Sequence, residues 1–459
     1  MEGRARLHVR WLFILAALFC GQGCMRSLPR HFRMPAPHAR ADIRVQGLAP
    51  AQIWKHLLTP SDLTGKNIDR LAQWMQIEQE ITGFPLVAGN RVQLLLDGPM
   101  TFSAMFAAMR HARHSIHVET FILSDDEVGR KFADILIERR RAGVEVRMVV
   151  DAIGAWGADT VFLDRMRRAG IEISIYHPLD DVHLWRINTR HHRKLLIVDG
   201  RIAFIGGINI CKVYARDSFR DPNRIRSANE AWRDTDVKVQ GPAVTYLQEL
   251  FVSFWAGLHE TAPLSGPPYF PALPEQGHTL VRVADSIAVK NAHAIYRLYI
   301  AAFRHARKTI WITQGYFSPD DTFLEALKRA SRRGVDVRIL LPGLTDSWLT
   351  ISSSRAHYEE LLKAGVRIFE RKDVLQHAKT AVIDGMWSIV GSTNLDNRSF
   401  MHDNEADVIM WGRDFGAMMQ VLFLYDQGDN QEITLSQWRK RPIYMHFLES
   451  LATLFNYWL

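Results

Sequence analysis

Cysteine is nearly absent: the chain has three in 459 residues, and two of them, Cys20 and Cys24, lie in the first 24. Only Cys211 is in the body, which excludes both a disulfide framework and a cysteine-ligated zinc site. A long apolar run is also lacking. The stretch Trp11 to Phe19 has about half of the roughly 20 residues that a bilayer-spanning helix needs. Net positive charge is scarce outside the start of the chain. Of the formal +8, residues 1 to 40 supply most, with seven Arg against one Glu. The rest is close to neutral, so there is no broad basic field for a duplex, and charge argues against nucleic acid as a partner. A hydrophobic content of 47% supplies packed cores for two or three domains.

What is present is present twice. His192-Arg-Lys-Leu-Leu-Ile-Val-Asp-Gly-Arg-Ile-Ala-Phe-Ile-Gly-Gly-Ile-Asn209 is matched by His377-Ala-Lys-Thr-Ala-Val-Ile-Asp-Gly-Met-Trp-Ser-Ile-Val-Gly-Ser-Thr-Asn394. Chance would give roughly 0.04 copies of H-x-K-x-x-x-x-D in a chain of this composition, so two copies carry a shared design. Each copy reads as a β-hairpin, with apolar runs (Leu195 to Val198 and Ile202 to Ile205; Ala381 to Ile383 and Trp387 to Val390) on either side of a two-residue Asp-Gly turn. Folding about Asp199-Gly200 is expected to set His192 across from Gly207 with Asn209 just beyond. His192 and Lys194, two apart, then share one face, as do His377 and Lys379.

Histidine can act as nucleophile or general acid, lysine supplies fixed positive charge, asparagine supplies neutral donors, and Gly207 lets backbone N–H groups approach an anion. Such a set suits a phosphodiester. Asp199 and Asp384, at the hairpin turns, complete the signatures but stand too far along the strands to touch phosphorus. After each signature an acidic residue recurs in matched context, Asp234-Thr-Asp-Val and Glu405-Ala-Asp-Val. Two readings are open for Asp234 and Glu405: solvated or salt-bridged carboxylates, or acceptors for the far ring nitrogen of a catalytic histidine.

H-x-K-x-x-x-x-D followed by G-G/S-x-N, twice, resembles the paired signatures of the phospholipase D superfamily, from about Asn90 to the end of the chain. Within it, Asn90-Arg-Val-Gln-Leu-Leu-Leu-Asp-Gly98, Trp232-Arg-Asp-Thr-Asp-Val-Lys-Val-Gln-Gly-Pro242 and Gly391-Ser-Thr-Asn-Leu-Asp-Asn-Arg-Ser399 look most like bacterial cardiolipin synthases. The resemblance implies catalytic roles for His192, Lys194, Asp199, Asn209, His377, Lys379, Asp384 and Asn394, supported by Asp234, Glu405, Gly207 and Ser392. It implies a phosphatidyl-histidine, with His192 as nucleophile and His377 as acid and then base, phospholipid substrates at a membrane surface, and neither cofactor nor metal. The rival activities are a hydrolytic phospholipase D, another phosphodiesterase such as a nuclease, or a silent membrane scaffold. The last is disfavoured because both signatures are intact.

In chain order, Arg4, Arg6 and Arg10 before the apolar run resemble an export signal over residues 1–24. Gly21-Gln-Gly-Cys24 resembles a lipoprotein lipobox with Gly21 where Leu is usual, so Cys24 is a candidate for lipidation beside a plain signal peptide or an uncleaved anchor. Residues 25–90 read as a tether, over 25–60, followed by a helical segment with apolar spacing from Leu63 to Ile81. In 91–261 we expect strands Val92–Leu96, Ile116–Ile122 and Val144–Val150 around helices Phe102–His114 and Val128–Arg141, an α/β domain. Residues 262–277, rich in Pro and Gly, are the linker. A second α/β domain follows over 278–425: Arg110-His-Ala-Arg-His-Ser-Ile116 is echoed by Arg304-His-Ala-Arg-Lys-Thr-Ile310, and Arg141-Ala-Gly-Val-Glu-Val-Arg147 by Ser331-Arg-Arg-Gly-Val-Asp-Val-Arg338. The expected fold is two similar domains about a pseudo-twofold axis, with the active site in the cleft between them.

The spacing of His111, His114 and His117 suggests a metal site, but the echo places Lys308 and Trp311 at the last two positions. His191 reads as a neighbour of His192 without its own role. The tail 426–459 carries a basic cluster, Trp438-Arg-Lys-Arg-Pro442, ahead of Tyr444, Leu448, Leu451, Phe455 and Trp458 on one helical face. Core packing and a bilayer-surface helix are the two readings of that stripe.

Overall fold

The computed structural model describes residues 45–457 apart from 48–49, 62, 179–187, 217, 219–226, 228–229, 289–292, 429 and 431. The expected export signal, Cys24 and Trp458 lie outside the described residues.

Two sheets carry the same strand sequence. In the first, Glu172–Tyr176, Glu145–Asp151 and Ser115–Thr120 run parallel, and Ser115–Thr120 then pairs antiparallel with Leu195–Val198. Ile202–Gly206, Asp236–Gln240 and Leu86–Leu95 follow. In the second, Arg367–Arg371, Asp336–Pro342, Thr309–Thr313, Thr380–Ile383, Trp387–Gly391, Asp403–Trp411 and Thr279–Ser286 take the same places. Leu86–Leu95 belongs to both, because Arg91 to Leu95 pair with Asp236–Gln240 while Val87 and Asn90 pair with Thr279–Ser286. Both faces of each sheet are covered, so strands such as Val146 to Val150 are buried nearly throughout. One core lies between the sheets and joins Ile197, Ile205, Val237 and Phe251 of the first half to Val382, Val390, Val408 and Phe423 of the second.

The expected strands and helices of the first half fall within a few residues of those observed: helices Gly98–Arg110 and Glu127–Arg141, strands Ser115–Thr120 and Glu145–Asp151. Part of the stretch read as a tether is a helix instead, and the helix expected from Leu63 to Ile81 is present. Pro50–Leu57 is a helix that buries Ile53 and Leu57, and Gly65–Thr82 is capped by Thr64 and ended by Gly83 in the left-handed region. Its Trp74 is fully buried against Trp387 and Trp411, so this segment belongs to the core of the second half. Aromatic and aliphatic spacing announced a helix, but its docking site is far away in sequence.

The hairpins need one correction. Asp199, Gly200, Asp384 and Gly385 all have positive φ, as an Asp-Gly turn requires. Val198 nevertheless pairs with Ile202 and Ile383 with Trp387, so Arg201 and Met386 are extra bulge residues. The register is one residue from that expected, which places His192 off the position opposite Gly207. The turn carboxylates do structural work. Asp384 accepts from the backbone N–H groups of Arg307, Lys308 and Thr309, and Asp199 from those of Arg113, His114 and Ser115. Each ties its hairpin to the turn before a parallel strand. Asp384→Ala strands three donors, and we expect it to cost about 2–3 kcal/mol of stability, read as a lower urea midpoint. Lost turnover at an unchanged midpoint would instead place the carboxylate in the chemistry.

The tail forms a helix, Ile443–Thr453. Its stripe does not enter the core: Tyr444, Leu448 and Leu451 are exposed and Phe455 is half-buried. Among the described residues no helix is long and apolar enough to cross a membrane.

Candidate active site

Each signature histidine is held by the opposite half. Arg190–His191 pairs in parallel with Asp403 and Asn404, and the His192 N–H donates to Asn404 O (3.0 Å). Trp232–Arg233 pairs in parallel with Leu375–Gln376, and the His377 N–H donates to Arg233 O (2.7 Å). These two short ladders cross the domain boundary. They carry the acidic residues with them: His192 Nδ1 lies 2.8 Å from Glu405 Oε1, and His377 Nδ1 lies 2.6 Å from Asp234 Oδ2. The carboxylate that follows each signature in sequence therefore serves the other signature's histidine.

With Nδ1–H donated to a carboxylate, the lone pair of each ring is on Nε2. Lys379 Nζ also lies 2.8 Å from His377 Nδ1, but that nitrogen cannot donate to Asp234 and accept from an ammonium at once. The shorter carboxylate contact decides the tautomer, and Lys379 donates to the His377 carbonyl oxygen, as Lys194 does to that of His192 (2.5 Å).

The aromatic walls are matched. Phe121 meets His192 edge-on at 5.1 Å and Tyr316 meets His377 at 5.7 Å, with Lys194 over Phe121 and Lys379 over Tyr316. Asn209 donates from Nδ2 to Tyr214 Oη (2.9 Å) and accepts from the Ile122 N–H. The Asn394 N–H donates to Ser399 Oγ (3.2 Å), and its side-chain oxygen is buried without a partner. The glycine positions are close approaches: a Cβ on Gly207 would strike the Asp234 carboxylate, and one on Gly391 that of Asp407. Ser392, at the place of Gly207, uses its hydroxyl on Glu405 instead.

Burial and the two lysines hold both imidazoles neutral. His192 is pushed well below the usual range by burial and by Lys194 and Lys379, and His377 to about 3 by burial and Lys379. Each lysine thus acts on the other half's histidine, so the two half-sites share one electrostatic environment. Burial lowers Lys194 to about 7 and Lys379 to about 8. The carboxylates differ. Burial opposes ionisation of Asp234, but Lys379 and the His377 bond hold it below the usual range, whereas burial pushes Glu405 up to about 7 against the pull of Lys194.

Two architecture-matched halves and two crossed His–carboxylate pairs are thus the frame of this site. A family model described as cardiolipin synthase, PLD-like domain, matches residues 105–219 and 299–426. The chain is 32% identical to a cardiolipin synthase of Geobacillus kaustophilus over 83% of its own length and 75% of the relative's. The chain belongs to the PLD-like cardiolipin synthase family. It is also 33% identical to cardiolipin synthase A of Pseudomonas syringae pv. syringae, over 78% of this chain and 73% of that one. The crystal structure of a phosphatidylserine synthase of Haemophilus influenzae shares the fold, with a TM-score of 0.63 at 13% identity, covering 83% of this chain and 99% of that one.

The crossed ladders gather the buried His192, Lys194, Asn209, Asp234, His377, Lys379, Ser392, Asn394 and Glu405, while Asp199 and Asp384 stay at the far hairpin ends. Tyr214 was missed. Its buried hydroxyl lies 3.2 Å from His377 Nδ1, and its place five residues after Asn209, matched by Ser399 after Asn394, was the signal available. His117 is spent on Gln248 and a stack with Phe251, and His191 on a stack with Phe254.

Among the described residues, His192, Asp403 and Glu405 come close enough to share a cation. Glu405 is already taken by His192 and Ser392, and two ammonium groups border the site, so the donor set fits a metal poorly. We expect turnover in excess EDTA after dialysis to equal that of untreated protein. Loss restored by a divalent ion would reverse this reading.

Proposed function

We propose that this chain is a phosphatidyltransferase of the cardiolipin synthase kind, moving a phosphatidyl group from one phosphatidylglycerol, or a related donor, to the hydroxyl of another. The crossed pairing of His192 with Glu405 and His377 with Asp234 around two lysines carries the proposal, because it supplies one nucleophile, one proton carrier and charge for a phosphodiester in one site.

A phosphodiester seated between Lys194 and Lys379 offsets the charge that keeps the rings neutral. The ionised Asp234 then favours a protonated His377, and Glu405, pushed up to about 7, favours a protonated His192 less. This difference supports His192 Nε2 as the attacking atom. The P–N bond forms as the P–O bond to the leaving alkoxide breaks, and His377 gives that oxygen its proton. In the second half the acceptor hydroxyl gives its proton back to His377, its oxygen bonds to phosphorus, and His192 leaves. Asn209 and Asn394 can steady the equatorial oxygens.

Water competes at about 55 M, so transfer wins only if an acceptor lipid is oriented, for which positioned reactants reach effective molarities of about 10⁵ M or more. With purified protein and phosphatidylglycerol vesicles, cardiolipin and glycerol are expected to exceed phosphatidic acid. Phosphatidic acid as the main product at every acceptor density would favour the hydrolase.

A further inference from the structure

The C-terminal helix Ile443–Thr453 has its amphipathic faces reversed for packing on a protein. The side laid on the body carries Ala452 and Glu449, both buried. Glu449 accepts from two guanidinium nitrogens of Arg441 (2.6 and 2.9 Å), and Arg441 stacks on Trp438. The opposite side carries Ile443, Tyr444, Phe447, Leu448, Leu451 and Leu454, all exposed, with Ile443 at 88% and Leu454 at 69%. At 3.6 residues per turn these six fall within an arc of about 140°. An apolar surface this continuous marks an interaction site.

The occupant is argued from charge and position. From 443 to 454 the sole acid is the buried, paired Glu449; of the two exposed basic residues just ahead, Arg439 is paired with Glu359 (3.0 Å), and Lys440 adds a second positive charge. The face thus offers no carboxylate to repel an anionic surface. The helix packs on Trp348–Ala356, whose Ser353 Oγ bonds Ser318 Oγ (2.5 Å). Ser318 is in the Phe317–Ser318 strand, which pairs with Leu395–Asp396. That strand pair directly follows Tyr316 and Asn394 of the site. One helix therefore separates the apolar face from the catalytic site. Eleven residues are too few to span a bilayer and enough to lie in its interface.

We propose that Ile443–Thr453 is an interfacial helix that lies in the headgroup layer of an anionic phospholipid bilayer and holds the His192–His377 site beside it. The anionic lipid is the only element that rests on the phosphatidyltransferase reading. The direct test places a photo-crosslinking benzoylphenylalanine at Phe447 of the full chain, with Val161, exposed in the other half, as control. In phosphatidylglycerol vesicles, lipid adducts are expected at 447 and not at 161. Absence of adducts at 447, or a cross-linked dimer without vesicles, would overturn the proposal in favour of no contact or of a second copy. The doubly substituted Phe447→Asp/Leu451→Asp should lose about tenfold or more of its turnover on vesicles and keep it on phosphatidylglycerol in detergent micelles. Equal turnover of variant and wild type on vesicles would also overturn it. Wild type that transfers on neither substrate would refute the assigned reaction while leaving the crosslinking result to judge the surface.

Discussion

His192→Ala and His377→Ala are each expected to lower turnover by about 10⁴-fold or more, and the double variant to be no worse than either alone, because nucleophile and proton carrier act as a unit. The two losses should differ in kind. A donor lipid whose headgroup is an acidic phenol needs no proton on departure, so His377→Ala should release one equivalent of phenol in a burst and then stall. It lacks the base that activates the acceptor. Phosphate label should then remain on His192. His192→Ala, without an attacking nitrogen, should give no burst with any leaving group. A burst in His192→Ala and none in His377→Ala would exchange the two roles, and a burst in neither would remove the covalent intermediate.

Asp234→Asn should have the second largest effect. An amide can present its oxygen or its NH₂ to His377 Nδ1, and the second choice fixes the wrong tautomer; a comparable substitution in a His–Asp pair costs about 10⁴ in turnover. The sign of the pH effect follows from the charge. Asp234, held below the usual carboxylate range chiefly by Lys379 against burial, is ionised at neutral pH and raises His377. Its removal lowers the pH at which His377 gives up its proton in the bound complex, so the alkaline limb of turnover should move to lower pH. Glu405→Gln should lose less, since burial already pushes Glu405 up to about 7 and part of its charge is absent there. A pH–turnover profile unchanged by Asp234→Asn, or a greater loss from Glu405→Gln, would contradict the division of labour between the two rings.

The residues of the sequence alone determined the local pieces. Asp-Gly between two apolar runs dictates a turn because only such residues accept positive φ there, and alternation of strand and helix patterns dictates two α/β halves. The repeated His, Lys and Asn identify the chemistry because their protonation and donor properties belong to the side chains themselves. Three matters were decided only by the tertiary structure. The register moved by one residue, since Arg201 and Met386 bulge out where the hairpin turns meet the backbone they anchor. Asp234 serves His377 and Glu405 serves His192 because Trp232–Arg233 and Asp403–Asn404 each form a parallel ladder with the other half, a pairing across more than 140 residues that no local pattern encodes. The tail's apolar stripe told of an amphipathic helix but not which face meets the protein. The Arg441–Glu449 pair and Ala452 settle that side against the body, and the stripe is left facing outward.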